Sequence, residues 1–293
     1  MFSKIIFKAI KPFRLLTMLF TYGFGGGLVN YARGMVSWAA FIQGGIFLLL
    51  LTISFELIID LAHYRDINSI LEYMTLDQIK QLRTIYVMVI ATLLTVAISL
   101  YIDWMLRGIV WQGLLFLLIL QIFIGAGYYA SHRYNGLRPY QLFFELIIFV
   151  IVPPAFAFFM QSSESHRLLS ISVISFIPAY LAFRILELLM QFLHDQKHGN
   201  RTLVIYVGWE RAMVFHNALI LLTYVILSGS LLFGFPWFML WPAFLSLPIS
   251  ILEIWLMERV RQGYKPLWKV MQFATASVLF ITIYLIGFAF WIR

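Results

Sequence analysis

The sequence contains no cysteine. That excludes disulfides, thiolate catalysis and any metal site built on cysteine sulfur. Charge is also scarce: Asp, Glu, Lys and Arg make up 12% of 293 residues, against about a quarter in a soluble domain. The acidic sign is the scarcer, with 13 Asp and Glu against 21 Lys and Arg. No glycine-rich nucleotide loop stands in the strand–helix setting it needs, and no nucleophile elbow surrounds a serine. What is abundant is hydrocarbon, with 62% hydrophobic and 18% aromatic residues. A chain this apolar belongs to the membrane class. Its net charge of +8 then reads as cytoplasmic loop charge, and no nucleic-acid partner is expected.

Spans of roughly 20 apolar residues fall at nine places, near 14–32, 36–60, 84–102, 108–130, 141–160, 168–192, 212–233, 236–257 and 270–292. The expected fold is therefore all-α, nine transmembrane helices bundled around a central pocket in one unit, 1–293. The basic start (Lys4, Lys8, Lys11, Arg14) reads as the flank of a retained first span. With the N-terminus inside, 16 of the 21 Lys and Arg lie on inside segments. This satisfies the positive-inside rule and puts the C-terminus outside. The protein is expected in the inner or cell membrane, with its pocket facing the cytoplasm. Two inside connections, 61–83 and 193–211, are long and polar. In the first, Thr75 is placed to cap a short amphipathic helix beginning at Leu76. The Gly23 to Gly27 stretch suits close helix contact, and Pro153, Pro154 and Pro178 predict kinks.

The chemistry concentrates at two helix ends. Glu56, Asp60 and His63 are spaced i, i+4 and i+7, so a helix places them on one face. Carboxylates beside hydrocarbon are costly and tend to mark function. Arg184, Glu187, Gln191 and Asp195 echo the pattern, and the two ends are expected to face each other across one pocket. Glu56, Asp60, His63, Glu187 and Asp195 could ligate a hard cation such as Mg²⁺, which takes one or two carboxylates and completes its shell with water or phosphate oxygens. Arg133, Arg138, Lys197 and Arg201 offer donors to phosphate. The same residues also allow a blander arrangement, in which Arg184–Glu187 and Asp60–Arg65 are local ion pairs. His194 and His198 lack a third ligand. The aromatic and Met side chains suit either an isoprenoid channel or ordinary lipid-facing belts.

These stretches together resemble the UbiA-type intramembrane prenyltransferases, most closely the branch acting on dihydroxynaphthoate. The resemblance covers essentially the whole chain. Lys11-Pro12-Phe13-Arg14 before a glycine-rich span is similar to the family's Arg-Pro start. Glu56 to Tyr64 falls on the motif Asn-x-x-Asn-Asp-x-x-Asp-Tyr. Arg133-Tyr134-Asn135-Gly136-Leu137, with Glu145 beyond, resembles the family's basic loop and Gly-Leu-Gly-Glu. Asp195-x-x-x-Gly199-x-x-Thr202-Leu203, ending at Gly208, falls on the second motif. The departures are specific. His63 replaces the second Asp of the first motif, and Glu56 and Ile59 replace its Asn residues. Gln191, Glu187 and Leu188 replace the Asp and Asn residues of the second motif, and Asn200 its Lys.

The resemblance implies nine helices and an Mg²⁺-dependent transfer of a polyprenyl chain from its diphosphate to an aromatic, quinone-precursor acceptor within membrane lipid. Asp60 and Asp195 would be catalytic, helped as metal ligands by Glu56, His63 and Glu187, with Arg133, Lys197 and Arg201 on the diphosphate. The thinned acid count keeps open a second reading: a non-catalytic relative that binds a quinone, pigment or isoprenoid, or serves as a protein subunit of a membrane complex.

Overall fold

The structure is a computed structural model. It describes residues 11–63, 76–108 and 112–292, with the backbone alone for 62–63, 76–79 and 112. Every regular element among these residues is helical. In chain order they are α1 (Pro12–Arg33), α2 (Trp38–His63), α3 (Leu76–Leu106), α4 (Gln112–Arg133), α5 (Gln141–Leu146), α6 (Val152–Phe159), α7 (Arg167–Met190), α8 (Phe192–Lys197), α9 (Leu203–Val207), α10 (Trp209–Ser230), α11 (Trp237–Leu240), α12 (Leu247–Arg261) and α13 (Trp268–Trp291).

Eight helical stretches among the described residues are long and apolar enough to cross a membrane, as an integral multi-pass protein requires. The first expected span is present as α1 but is not among the eight. Arg14, Asn30, Arg33 and its glycines dilute its hydrocarbon. The helix instead buries Arg14, Thr17, Thr21 and Gly25 to Gly27 inside the bundle.

Other boundaries differ from expectation for local reasons. The short helix expected at Leu76 is continuous with the following span as the 31-residue α3. No Gly or Pro between Leu76 and Leu106 interrupts it. Thr75, Arg65, Lys4, Lys8 and Arg293 lie outside the described residues. Before Pro153-Pro154 the chain passes through a π-helical turn, Ile147–Ile151. Proline has no N–H and its ring crowds the carbonyl four residues back, so the ladder widens there. Pro242 and Pro248 likewise split the eighth expected span into α11, a 3₁₀ turn (Trp241–Ser246) and α12. Pro178, in contrast, sits within an unbroken α7.

The ends of the chain close the bundle. Helix α1 packs on α13 and α6, and α7 packs on α10 and α13. Trp291 Nε1 donates to Gly23 O at 2.9 Å, and Asn30 Nδ2 donates to Trp291 O at 3.2 Å. Phe24 meets Phe176 and Phe290 edge-on, with centroids 5.2 and 5.6 Å apart. Lipid tails are as apolar as these side chains, so helix association in a bilayer rests on close packing and interhelical hydrogen bonds. Gly25 lets two backbones meet: a Cβ there would lie 2.7 Å from Pro154 Cα and 2.9 Å from Ala157 Cβ. Gly25→Val should lower thermal stability by about 1–3 kcal/mol, the usual cost of overpacking. Gly23→Ala, where a Cβ meets nothing within 4 Å, should leave the unfolding temperature unchanged. Equal effects of the two would refute the packing role.

Candidate functional site

Five helices bring ionisable side chains to one buried point. Arg14 comes from the first turn of α1, Glu56 from α2, Tyr128 from α4, Glu145 from α5 and Arg184 from α7. All five are buried, with Glu145 fully so. Glu145 is the hub. Its Oε2 accepts from Arg184 Nε at 2.5 Å. Its Oε1 accepts from Arg184 Nη2 at 3.1 Å and Gln141 Nε2 at 2.6 Å, and lies 3.0 Å from Arg14 Nη1. Arg14 also donates to the Tyr128 hydroxyl. That hydroxyl donates to Glu56 Oε1 at 3.0 Å.

The cluster extends to both helix ends singled out in the sequence. Glu56 Oε2 pairs with Lys11 Nζ at 2.7 Å. At the opposite side Arg184 pairs with Glu187, one turn along α7. Glu56 and Glu187 are thus joined through Arg14, Glu145 and Arg184. Lys11, Arg14 and Arg184 balance Glu56, Glu145 and Glu187 in formal charge. Burying one of these charges alone would cost several kcal/mol, so the balance is what makes the arrangement tenable. Lys11 stands at the rim with a third of its side chain exposed. Desolvation, then the neighbouring Arg14 guanidinium, push its ammonium below the usual lysine range.

The predicted site residues divide into three groups. Glu56 and Glu187 join the cluster, but as partners of Lys11, Arg14 and Arg184. Asp60 and Asp195 stay outside it. Asp60 accepts from the Tyr86 hydroxyl at 2.7 Å, on α3. Asp195 is buried and accepts from Asn200 Nδ2 at 3.0 Å. Helix α7 ends at Gln191, so Asp195 rides on the separate short helix α8 and does not continue the face of Arg184 and Glu187. Arg133, Lys197 and Arg201 are exposed, and the described cluster includes none of them. The His63 side chain lies outside the described residues.

Sequence reasoning passed over Tyr128, Gln141 and the central part played by Glu145. A lone carboxylate in the apolar 141–160 run was a usable signal, because such a residue in a span needs a partner. Tyr180 was also missed. Its hydroxyl is buried one turn before Arg184 with no hydrogen-bond partner among the described residues.

Mg²⁺ wants hard oxygens whose charge is not already spent. Glu56 and Glu187 do not fit, since fixed cations neutralise them. Asp60 and Asp195 do fit: each accepts from a neutral donor and pairs with no Lys or Arg among the described residues. No three His, Asp or Glu side chains among the described residues form a metal site unaided. A cation held here would therefore need oxygens from a bound ligand.

The fold is similar along its whole length to a solved structure of a UbiA homolog from Archaeoglobus fulgidus bound to GPP and Mg²⁺. The TM-score is 0.51 and the identity 15%, over 98% of this chain and 99% of that chain. At that identity the likeness is one of fold. No protein-family model and no curated protein sequence matches the chain.

Glu145→Gln should destabilise the protein by about 3–5 kcal/mol, since Arg14 and Arg184 lose the charge that keeps them buried. Glu187→Gln, at a position with 19% of its side chain exposed, should cost much less. Thermal unfolding of the two variants checks the order, and equal losses would remove Glu145 from the hub.

Proposed function

We propose that this chain is an intramembrane prenyltransferase acting on a prenyl diphosphate and an aromatic acceptor. The observation that supports it is the end-to-end likeness of fold to a protein bound to GPP and Mg²⁺. In the proposed arrangement residues 1–293 form one nine-span unit. Helix α1 serves as the ninth crossing, the N-terminus and the site face the cytoplasm, and the C-terminus lies outside. The excess of Lys and Arg on the inside segments favours that orientation.

Asp60 and Asp195 would hold Mg²⁺, with His63 one turn beyond Asp60. When bound, Mg²⁺ supplies positive charge to the departing diphosphate. Arg133, Lys197 and Arg201, exposed on the loop side, would bind diphosphate oxygens and orient them. The allylic C–O bond breaks, the electron pair leaves with the diphosphate, and the prenyl carbon bonds to the electron-rich ring, which releases a proton. The buried ion cluster would fix the relative positions of α1, α2, α5 and α7, leaving Glu56 and Glu187 as positioning residues. An acceptor of the dihydroxynaphthoate type accords with the branch that the motifs resemble.

A second reading has its own support. The pairing of Glu56 and Glu187 with internal cations leaves two of the four motif carboxylates, Asp60 and Asp195, for metal. A relative that binds a quinone, pigment or isoprenoid without turnover, or packs as a subunit in a membrane complex, would need no more.

Calorimetry with geranyl diphosphate, with and without Mg²⁺, separates the two. The transferase reading expects Mg²⁺-dependent binding. It also expects Asp60→Asn and Asp195→Asn to cut turnover by at least about 100-fold, since even residues outside the metal's own ligand shell commonly cost 10–100-fold. Unchanged turnover in both variants, or no Mg²⁺-dependent binding by the wild type, would favour the second reading.

A further inference from the structure

A second set of buried ionisable groups lies away from the ion cluster, where α10 packs on α12. His216 and Glu253 are both fully buried. Their Nε2 and Oε1 atoms are 3.6 Å apart. Nε2 and both carboxylate oxygens lack a hydrogen-bond partner among the described residues. The Thr275 hydroxyl, on the adjoining α13, stands beside the Glu253 carboxyl but gives its proton to Met271 O at 2.9 Å. Further along, the seam carries a run of hydroxyls. Tyr224 reaches Ser246 at 2.7 Å and Ser250 at 2.5 Å, and Ser246 reaches Thr282 at 3.2 Å. No Lys, Arg or second carboxylate among the described residues lies within ion-pairing distance of the pair.

The imidazole's other nitrogen decides how the two groups meet. His216 Nδ1 faces Asn217 Oδ1 at 3.2 Å. With the Asn217 amide oxygen turned to the ring, Nδ1 is the donor, and a neutral ring in that tautomer turns the Nε2 lone pair towards Glu253. A carboxylate facing a lone pair, with no other donor, would be a buried charge without compensation. One proton on the carboxyl removes the charge and supplies an O–H donor for Nε2. The alternative, an imidazolium–carboxylate pair, is also neutral. It would leave charged Oε2 without a donor, and buried ion pairs hold only where the remaining lone pairs are satisfied. The contrast with Glu145 is direct, since that carboxylate has donors on both oxygens.

We propose that Glu253 keeps a proton within the membrane and donates a hydrogen bond through it to Nε2 of His216, so that the pair is a proton-binding site between α10 and α12. Contraction by a few tenths of an ångström would bring the 3.6 Å separation to hydrogen-bond length. The site is independent of the prenyl-diphosphate reading and its ligand is H⁺.

Infrared spectroscopy of the full chain in lipid bilayers at neutral pH tests the assignment. The wild type should show a protonated-carboxyl C=O band that disappears in Glu253→Gln and moves in His216→Phe. Gln has the shape of the neutral acid, so Glu253→Gln should also keep its unfolding temperature. Three results would overturn the proposal: a band that survives Glu253→Gln, a band indifferent to His216→Phe, or a Glu253→Gln protein that fails to fold.

Discussion

One carboxylate, Glu145, sets the terms for the centre of this bundle. It is fully buried and held by Arg14, Arg184 and Gln141, so α1, α5 and α7 meet at fixed spacing. Tyr128 and Glu56 carry the network on to α4 and α2. A network of this kind adds little net stability over a well-packed apolar core, because desolvation offsets most of the Coulomb attraction. What it adds is intolerance of error: any register that separates a member strands a charge in hydrocarbon. The cluster therefore acts chiefly to specify one arrangement of helices.

Around that centre the remaining order comes from shape. In a bilayer there is no water for apolar side chains to escape, so contact density decides which helices touch. The glycines of α1 admit Pro154, Phe41 and Trp291 to close range. The aromatic rings of α1, α7 and α13 interlock edge to face. The terminal helices are bound together by Trp291 and Asn30. A helix too polar to count as a span by composition can then occupy the interior, because its polar positions face other helices.

Electrostatics separates the acids into three kinds. Glu56, Glu145 and Glu187 are matched by fixed cations. Among the described residues Asp60 accepts from the Tyr86 hydroxyl, and Asp195 accepts from Asn200 and lies 3.7 Å from the His194 ring, with no Lys or Arg paired to either. Among the described residues Glu253 faces the imidazole of His216 and the Thr275 hydroxyl, with no Lys or Arg paired to it. These differences follow from what each carboxylate meets across a helix interface. Residues with the same side-chain chemistry thereby meet different electrostatic surroundings.

The membrane class, the all-helical architecture and most span positions were legible in the chain, because hydropathy is a local property and a bilayer forces each apolar run to satisfy its own backbone. Glu56 and Glu187 were also legible as acids at two helix ends. The Arg184–Glu187 pair was legible as well, since the two lie one turn apart on a single helix. The pairing of Glu56 with Lys11 and Arg14 was not, because Arg14 lies 42 positions away on a different helix and Lys11 just before that helix. The break at Gln191, which moves Asp195 off the face of Glu187, depended on how the chain turns between α7 and α8. Composition and periodicity determined that this chain is a helical bundle built for a membrane. Only the tertiary structure decided which of its few charges neutralise one another, because charge compensation depends on distance in space.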